Sequence, residues 1–229
     1  MSENRNRCCP EEMAAFFNAR ADGYDCHMKN TVVKYNLFYK AVAEPILPTE
    51  EKIRILDLGC GTGLELEEII KKTPLAEVTG VDMSHKMLDL LAEKYKNSTI
   101  SFELIQDSYE TVALPSETYD YAVSVMSVHH LLPDRKLALY KKVWSALKPG
   151  GLYIEGDYVV APATERALMA EYLEMLNSGQ LTDILCHIDI PFSIATQFAL
   201  LQQAGFRDVD VQVRFKNNAV LVALKPLQP

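Results

Sequence analysis

The sequence lacks any apolar run of the roughly 18 residues that a membrane-spanning helix requires. Its first residues are polar and lead into no apolar stretch, so we expect no secretory signal. The sequence also contains no internal repeat, low-complexity segment or interdomain linker. We therefore expect one cytoplasmic domain over residues 1–229, with a mobile tail at residues 1–9.

Cysteine is scarce and irregularly spaced. The five cysteines form an odd set without the paired spacing of a zinc motif, and they stand at Cys8, Cys9, Cys26, Cys60 and Cys186. We therefore predict neither a disulfide framework nor a metal site, and a reducing compartment fits. The neighbours Cys8 and Cys9 admit a metal- or arsenic-binding pair, although two thiols in a mobile tail is the favoured interpretation.

Positive charge is in deficit. The chain has 23 lysines and arginines against 31 aspartates and glutamates, a formal net charge of −8. This balance disfavours a nucleic-acid surface, because phosphate recognition uses clustered lysine and arginine. We expect a small-molecule partner, no membrane partner, and a monomer or homodimer.

One stretch organises the rest of the chain. Residues 53–58 form a short apolar run that predicts a buried strand, and Gly59, Gly61 and Gly63 follow at every second position. Residues 64–72 then have helical spacing, with acids early and lysines late. A strand, a glycine loop and a helix bring backbone N–H groups against a ligand, and glycine there permits close approach.

The spacing of the glycines separates two kinds of ligand. A dinucleotide fingerprint would require glycine at position 64, where Leu64 stands. Residues 76–82 predict a second strand that ends in Asp82, 19 residues after Gly63, close to the roughly 20 expected for an acid that binds a ribose. We expect this carboxylate to lie beside solvent, free of other partners, where both ribose hydroxyls can donate to it.

Three motifs, in this order, resemble those of the class I S-adenosylmethionine (SAM)-dependent methyltransferases. They are residues 57–63, 81–84 and 147–151, and the resemblance extends over nearly the whole chain. It implies a Rossmann-like, doubly wound α/β fold with a mostly parallel seven-stranded sheet and an antiparallel C-terminal strand. It also implies SAM as the cofactor, but it does not specify the methyl acceptor.

Two segments stand outside the sheet pattern. Residues 10–45 predict an N-terminal helical cap with a second helix at about residues 31–43, similar to the cover on small enzymes of this family. Residues 161–192 predict a helical insertion after strand five, over the active-site edge. The chain then closes with a helix and a hairpin that turns at residues 217–218.

The resemblance implies cofactor contacts at the ends of the predicted strands. Asp82 would hold the ribose, Met83 would flank the adenine ring, and Asp107 would bond the adenine amino group. Tyr24 would close over the cofactor, although packing of the cap is an equal alternative, and capping of a turn is the alternative for Asp107. The complete predicted set is Tyr24, Asp57, Gly59, Cys60, Gly61, Gly63, Asp82, Met83, Met87, Asp107, Ser108 and Ser124.

Candidate catalytic residues follow strands four and five. His129 and His130 come just after strand four, and Asp157 and Tyr158 end strand five. Methyl transfer is an in-line displacement with a neutral leaving group, so the enzyme must chiefly align the reactants and exclude water. An oxygen or nitrogen nucleophile also needs a base. We predict His129 as that base and Asp157 as a second catalytic residue; the alternative is that these side chains shape the pocket.

Three functions remain open. Methyl transfer to oxygen, nitrogen or sulfur of a small molecule leads, because helical covers suit an enclosed substrate. Methylation of RNA or protein is disfavoured by the acidic balance and by Ser-Val-Met-Ser at residues 124–127, where planar amines would call for an Asn-Pro-Pro-Tyr-like motif. The third is a SAM-binding protein that transfers no methyl group or performs other chemistry on SAM.

Overall fold

The computed structural model describes residues 11–178 and 187–227. The predicted tail at residues 1–9, with Cys8 and Cys9, lies outside the described residues, as does most of the second predicted stretch of the insertion, up to Cys186.

Seven strands form one sheet in the order β3-β2-β1-β4-β5-β7-β6. Strands β1 to β5 are parallel to one another, whereas β7 is antiparallel to both β5 and β6. The fold predicted from the sequence is therefore confirmed. The strands are β1 (Arg54–Leu58), β2 (Glu77–Asp82), β3 (Ser101–Gln106), β4 (Tyr119–Val125), β5 (Leu147–Tyr158), β6 (Arg207–Phe215) and β7 (Asn218–Leu224).

Helices cover both faces of the sheet. They are α1 (Met13–Arg20), α2 (Tyr24–Thr31), α3 (Tyr35–Ala43), α4 (Leu66–Ile70), α5 (His85–Tyr95), α6 (Pro133–Ala146), α7 (Pro162–Asn177) and α8 (Ile194–Ala204). Successive β1 residues point to opposite faces: Ile55 joins the apolar core under α3, α4 and α5, and Leu56 joins the core under α6 and α8. Both are fully buried, which explains the continuous apolar run of this strand.

The N-terminal cap contains three helices rather than the two predicted. The first begins after Glu12, whose carboxylate accepts hydrogen bonds from the Ala14 and Ala15 N–H groups at 3.1 and 2.9 Å. Residues Ala21–Gly23, between α1 and α2, form only a 3₁₀ turn, and the chain continues directly into α2. The true interruption comes at Lys34, which has a φ of 59° and separates α2 from α3.

Among the described residues of the insertion after β5, only those of α7 are helical. Pro162 is at the first turn of α7, and none of the residues of α7 is buried. Residues 187–190 are not helical, because their backbone bonds to other segments: His187 N–H donates to the Glu11 carbonyl at 2.9 Å, and Ile190 N–H to the His129 carbonyl at 2.8 Å. None of the described helices combines the length and the hydropathy needed to cross a membrane.

A buried polar network ties α6, β5 and α8 together, and nothing in the sequence indicated it. The Glu155 carboxylate accepts from the Tyr140 hydroxyl at 2.6 Å and the Tyr153 hydroxyl at 3.1 Å. Lys136 Nζ lies 2.9 Å from the other Glu155 oxygen, with both side chains 1% exposed. The same ammonium donates to Gln197 Oε1 at 3.0 Å, so the network fixes the helices behind the candidate site.

Replacement of Lys136 should strongly destabilise the fold. Lys136→Met leaves the Glu155 carboxylate buried without its cation, which typically costs about 3–5 kcal/mol. The measurement is the free energy of unfolding in urea. Lys71→Met is the matched control, because Lys71 pairs with Glu68 on an exposed helix surface and such pairs contribute about 0–1 kcal/mol. Equal stability of the two variants would contradict the structural role given to the buried pair.

Candidate active site

The glycine loop after β1 is open where a ligand would approach. Gly59 has a φ of 69°, and a Cβ there would lie 1.9 Å from Ser127 Oγ, so only glycine fits against the loop after β4. Gly61 has a φ of 48°, but a Cβ there would meet only the Tyr24 ring, at 3.8 Å. The first glycine therefore serves packing, and the second leaves free space beneath Tyr24.

Asp82, at the end of β2, is already engaged by backbone donors. Its Oδ2 accepts from the Gly61 N–H at 2.9 Å, and its Oδ1 from the Ser84 N–H at 2.8 Å. Burial raises the pKa of this carboxyl, while the two N–H donors act in the opposite direction. The expectation of a carboxylate free of other partners was wrong, because Asp82 also orders the glycine loop. Each of its oxygens retains a second lone pair for a ligand.

Two buried carboxyl groups meet beneath the same loop. Asp57 at β1 is fully buried, and among the described residues neither of its oxygens has a regular hydrogen-bond partner. Burial, and then the nearby Glu65 carboxyl, raise the pKa of Asp57 well above its usual range. The pair therefore keeps a proton to a higher pH than a solvent-exposed carboxyl group does. Sequence reasoning took Glu65 only as an acid at the start of α4 and missed this pairing.

Six predicted cofactor residues line one cavity at the carboxyl edge of β1 and β2: Tyr24, Gly59, Gly61, Asp82, Met83 and Met87. The cavity also has walls that the sequence did not single out as cofactor contacts, namely Met13, Phe17, Tyr109, Met126, Ser127 and His130. Met126 has a φ of 50° immediately after β4, a strained conformation that bulky residues rarely adopt.

The remaining predicted cofactor residues have other partners. Asp107 Oδ1 accepts from the Ser108 N–H at 2.7 Å and the Thr111 hydroxyl at 2.8 Å, which fits the capping alternative for Asp107. The Ser124 hydroxyl lies 2.7 Å from that of Tyr153 in the buried network. The side chains of Asp107 and Ser124 therefore do not line the cavity. The buried residues Asp57 and Cys60 do not line it either, and neither does Gly63, which packs under α4 and α5.

A second, larger cavity of about 560 Å³ adjoins the first. Both are lined by Phe17, Tyr24, Met126 and His130. The larger one, which we name the acceptor cavity, is roofed by α1 and α2 and is further lined by Phe16, Ala19, Arg20, Gly23, His27, Met28, His129, Tyr158, His187 and Asp189. Its volume is within the range of about 300–1,000 Å³ typical of small-ligand sites.

The two predicted catalytic residues meet on the wall of the acceptor cavity. His129 Nδ1 lies 2.6 Å from Asp157 Oδ1, and both side chains are buried. Asp157 is fixed in turn by the Val128 N–H at 3.0 Å and the Tyr158 N–H at 2.7 Å. Burial favours neutral imidazole, but Asp157 and Asp189 together raise the pKa of His129 to about 9. The His129 ring is therefore a positively charged imidazolium, protonated on both nitrogens, at neutral pH while both acids face it.

Further ionisable groups surround His129, and two of them, His187 and Asp189, were not predicted from the sequence. Asp189 Oδ1 lies 3.5 Å from His129 Nε2, 3.3 Å from His130 Nδ1 and 3.9 Å from His187 Nε2. Burial lowers the pKa of His130, and it lowers the pKa of His187 to about 4. His187 stacks on Phe16 with ring centroids 3.6 Å apart. Residues 187–189 therefore attach the insertion to both the cap and the histidines.

Entry of a ligand to the smaller cavity should require the cap to move. That cavity holds only about 50 Å³, far below a typical ligand site. We expect hydrogen exchange in α1, α2 and residues 187–192 to slow when demethylated SAM is added, since the cap closes on it. Buried amides of β1 are the internal control. Identical exchange of the cap with and without this ligand would rule out the movement.

Loss of the Asp82 carboxylate should weaken cofactor binding and should also destabilise the glycine loop. If Asp82 holds the ribose, Asp82→Ala removes one or two charge-assisted bonds to the ribose hydroxyls of about 1.5–3 kcal/mol each, which corresponds to about tenfold to about 10⁴-fold in SAM affinity. It also leaves two backbone N–H groups without acceptors, so the melting temperature should fall. Asp82→Asn should lose less, because its amide oxygen still accepts. The measurements are a SAM titration and a melting curve.

The control for Asp82 is Asp89→Ala, because Asp89 is an exposed acid on α5. It should change neither quantity. Wild-type SAM affinity in a folded Asp82→Ala protein would show that the ribose is held elsewhere.

Comparison with known proteins gives one pattern. A family model described as a methyltransferase domain matches residues 55–151. The uncharacterized methyltransferase YdaC of Bacillus subtilis is 35% identical over 163 residues, covering 71% of this chain and 75% of that protein. A carboxy-S-adenosyl-L-methionine synthase of Helicobacter pylori is 25% identical over an alignment of 248 residues, covering 98% and 96%.

A solved structure shares the fold along its full length. The methyltransferase in a Haloferax volcanii complex with the Trm112 methyltransferase activator matches with a TM-score of 0.67 at 16% identity, covering 94% of this chain and 98% of that chain. The Bacillus relative shows more than the fold, because its identity of 35% extends over three quarters of its own length. The chain belongs to the class I SAM-dependent methyltransferases, enzymes that use SAM as their cofactor.

Proposed function

We propose that this enzyme transfers the methyl group of SAM to an oxygen, nitrogen or sulfur atom of a small molecule held in the acceptor cavity. The observation that supports this most directly is the junction of two cavities. They share Phe17, Tyr24, Met126 and His130, so a sulfonium methyl in one can face a nucleophile in the other. The helical roof and largely apolar walls would exclude water from that junction.

In this proposal SAM occupies the smaller cavity. Asp82 would accept from the ribose hydroxyls, and Met83 and Met87 would pack against the adenine ring, since methionine sulfur is polarizable. Gly61 would let the backbone approach the cofactor, and Tyr24 would close over it. Asp57, Cys60, Gly63, Asp107, Ser108 and Ser124 would act from behind this first layer by holding the loops in place.

Proton removal from the nucleophile is assigned to the pair His129–Asp157. Asp157 fixes the imidazole through Nδ1, so that Nε2 is the atom directed to the acceptor side. While Asp189 faces that atom, the imidazole holds its proton at neutral pH. His129 therefore becomes a base only when a bound acceptor separates it from Asp189.

A second candidate is synthesis of carboxy-S-adenosyl-L-methionine, the activity that names the Helicobacter relative. It would use the same cofactor site but modify the cofactor itself. Methylation of RNA or protein remains less favoured, because the chain has a net charge of −8 and the helices α1 and α2 roof the acceptor cavity. We place the enzyme in the cytoplasm as a monomer or homodimer, which suits the free thiols of Cys26 and Cys60.

The direct experiment incubates the enzyme with methyl-labelled SAM and a metabolite extract. Label in a new small molecule, together with demethylated SAM, is the expected result. A SAM derivative heavier by one carboxyl group would instead establish the second candidate. Label that appears only in RNA or protein, or no reaction of SAM at all, would overturn the proposal.

Removal of the catalytic pair should affect turnover more than cofactor binding. His129→Asn and Asp157→Asn should each lower turnover by about 10²–10⁴-fold, the usual contribution of general acid–base catalysis. SAM affinity should change little, because neither side chain lines the smaller cavity. His85→Ala, at an exposed position, is the control. Unchanged turnover in His129→Asn would mean that the acceptor, such as a thiolate, arrives without its proton.

A further inference from the structure

We propose that His129, His130 and Asp189 bind one divalent transition-metal ion on the wall of the acceptor cavity. One ligand atom from each of these residues lies within 4.8 Å of the other two. The inference goes beyond the proposed function, because with an ion bound His129 Nε2 is a ligand instead of the base and the ion itself would promote loss of the proton from the acceptor. It rests on that function only in using the same cavity. It also revises the sequence expectation of no metal site, which was based on cysteine spacing.

The His129 imidazole is oriented as metal ligands usually are. Its Nδ1 donates to Asp157 Oδ1 at 2.6 Å, so that its Nε2 lone pair is left for an ion. His130 faces Asp189 with Nδ1, which lies 3.3 Å from Asp189 Oδ1 and 3.0 Å from the Ile188 carbonyl, so binding an ion there would replace its bond to that carbonyl. A second layer of carboxylate or carbonyl groups that fixes the ring and the tautomer is the common arrangement around metal-binding histidines.

Asp189 is held over the histidines by backbone bonds on both sides. The Ile188 carbonyl accepts from His130, and the Ile190 N–H donates to the His129 carbonyl at 2.8 Å. The Asp189 carboxylate is 53% exposed, so burial does not force it towards the histidines. Its position results from the path of the chain, which brings a half-exposed acid to a buried pair of imidazoles.

The separations suit a small ion. Ligand atoms about 2.0–2.2 Å from a tetrahedral zinc ion lie about 3.3–3.5 Å from one another. Asp189 Oδ1 lies 3.5 Å from His129 Nε2, and His187 Nε2 lies 3.9 Å from the same oxygen as a potential fourth ligand. The same Asp189 oxygen lies 3.3 Å from His130 Nδ1.

The donor set selects the class of ion. Two or three imidazole nitrogens and one carboxylate favour Zn²⁺, Fe²⁺, Co²⁺ or Ni²⁺, whereas Mg²⁺ and Ca²⁺ prefer oxygen ligands. The carboxylates of Asp189 and Asp157 balance the two positive charges. Because the histidines are buried and the acceptor cavity lies in front of them, the ion would retain an open position there. A hydroxyl or thiol bound at that position would lose its proton more easily.

The experiment measures metal binding directly. Full-length protein carrying Cys8→Ser and Cys9→Ser, so that tail thiols do not compete, is stripped with a chelator and titrated with Zn²⁺ by calorimetry. One equivalent per chain is expected. Asp189→Asn, which is isosteric and half exposed, and His130→Ala should each weaken binding at least about tenfold; Asp157→Asn should cost about 10–100-fold through the second layer. Zn²⁺ should raise the melting temperature of the parent but not of Asp189→Asn.

The matched control is His85→Ala, which removes an exposed histidine outside the cluster and should leave zinc affinity unchanged. SAM binding is measured on the same metal-free samples, so that failure of the metal site is distinguishable from failure of the proposed function. A parent protein that binds no stoichiometric zinc would overturn the inference. So would an Asp189→Asn variant that binds zinc as tightly as the parent and the His85→Ala protein.

Discussion

The carboxylate of Asp82 joins the two loops on which the cofactor side of the molecule depends. One oxygen accepts from Gly61 in the loop after β1, and the other from Ser84 in the turn after β2. Ser84 in turn caps α5, where its hydroxyl accepts from the Met87 N–H at 3.2 Å. A single side chain therefore fixes the glycine loop, the adjacent turn and the start of a helix relative to one another. This arrangement gives the smaller cavity its shape before any ligand arrives.

The sequence predicted those parts of the fold that local pattern controls. The apolar run before Gly59 and the carboxylate at the end of β2 are local features, and both are where we expected them. The interruption of the cap at residues 32–34 was missed because Val32 is extended and Lys34 left-handed, and neither conformation is marked by a glycine or a proline in the sequence. The buried pair Lys136–Glu155 was missed for another reason: its partners come from α6 and β5, and no short-range pattern records that they face each other.

The same limit applies to the candidate site. His129 and Asp157 were predictable because the ends of neighbouring parallel strands lie at one edge of the sheet. His187 and Asp189 were not, since they reach that edge through an irregular segment whose course depends on distant backbone bonds. Their arrival changes the chemistry of the predicted base. With Asp157 alone, His129 would be an oriented neutral imidazole. With Asp189 also facing Nε2, it would be either a positively charged imidazolium or a ligand of a metal ion.

The shared roof of the two cavities has a consequence for the order of events in a catalytic cycle. Phe17 in α1 and Tyr24 in α2 line both cavities, so one closed position of the cap serves cofactor and acceptor alike. A ligand that stabilises this position lowers the free energy that the other must spend on closing it, and the two affinities become coupled reciprocally. Under the proposed function, release would be coupled in the same way, because demethylated cofactor and methylated product would both leave when the cap opens. Such coupling would make the use of the two cavities sequential rather than independent.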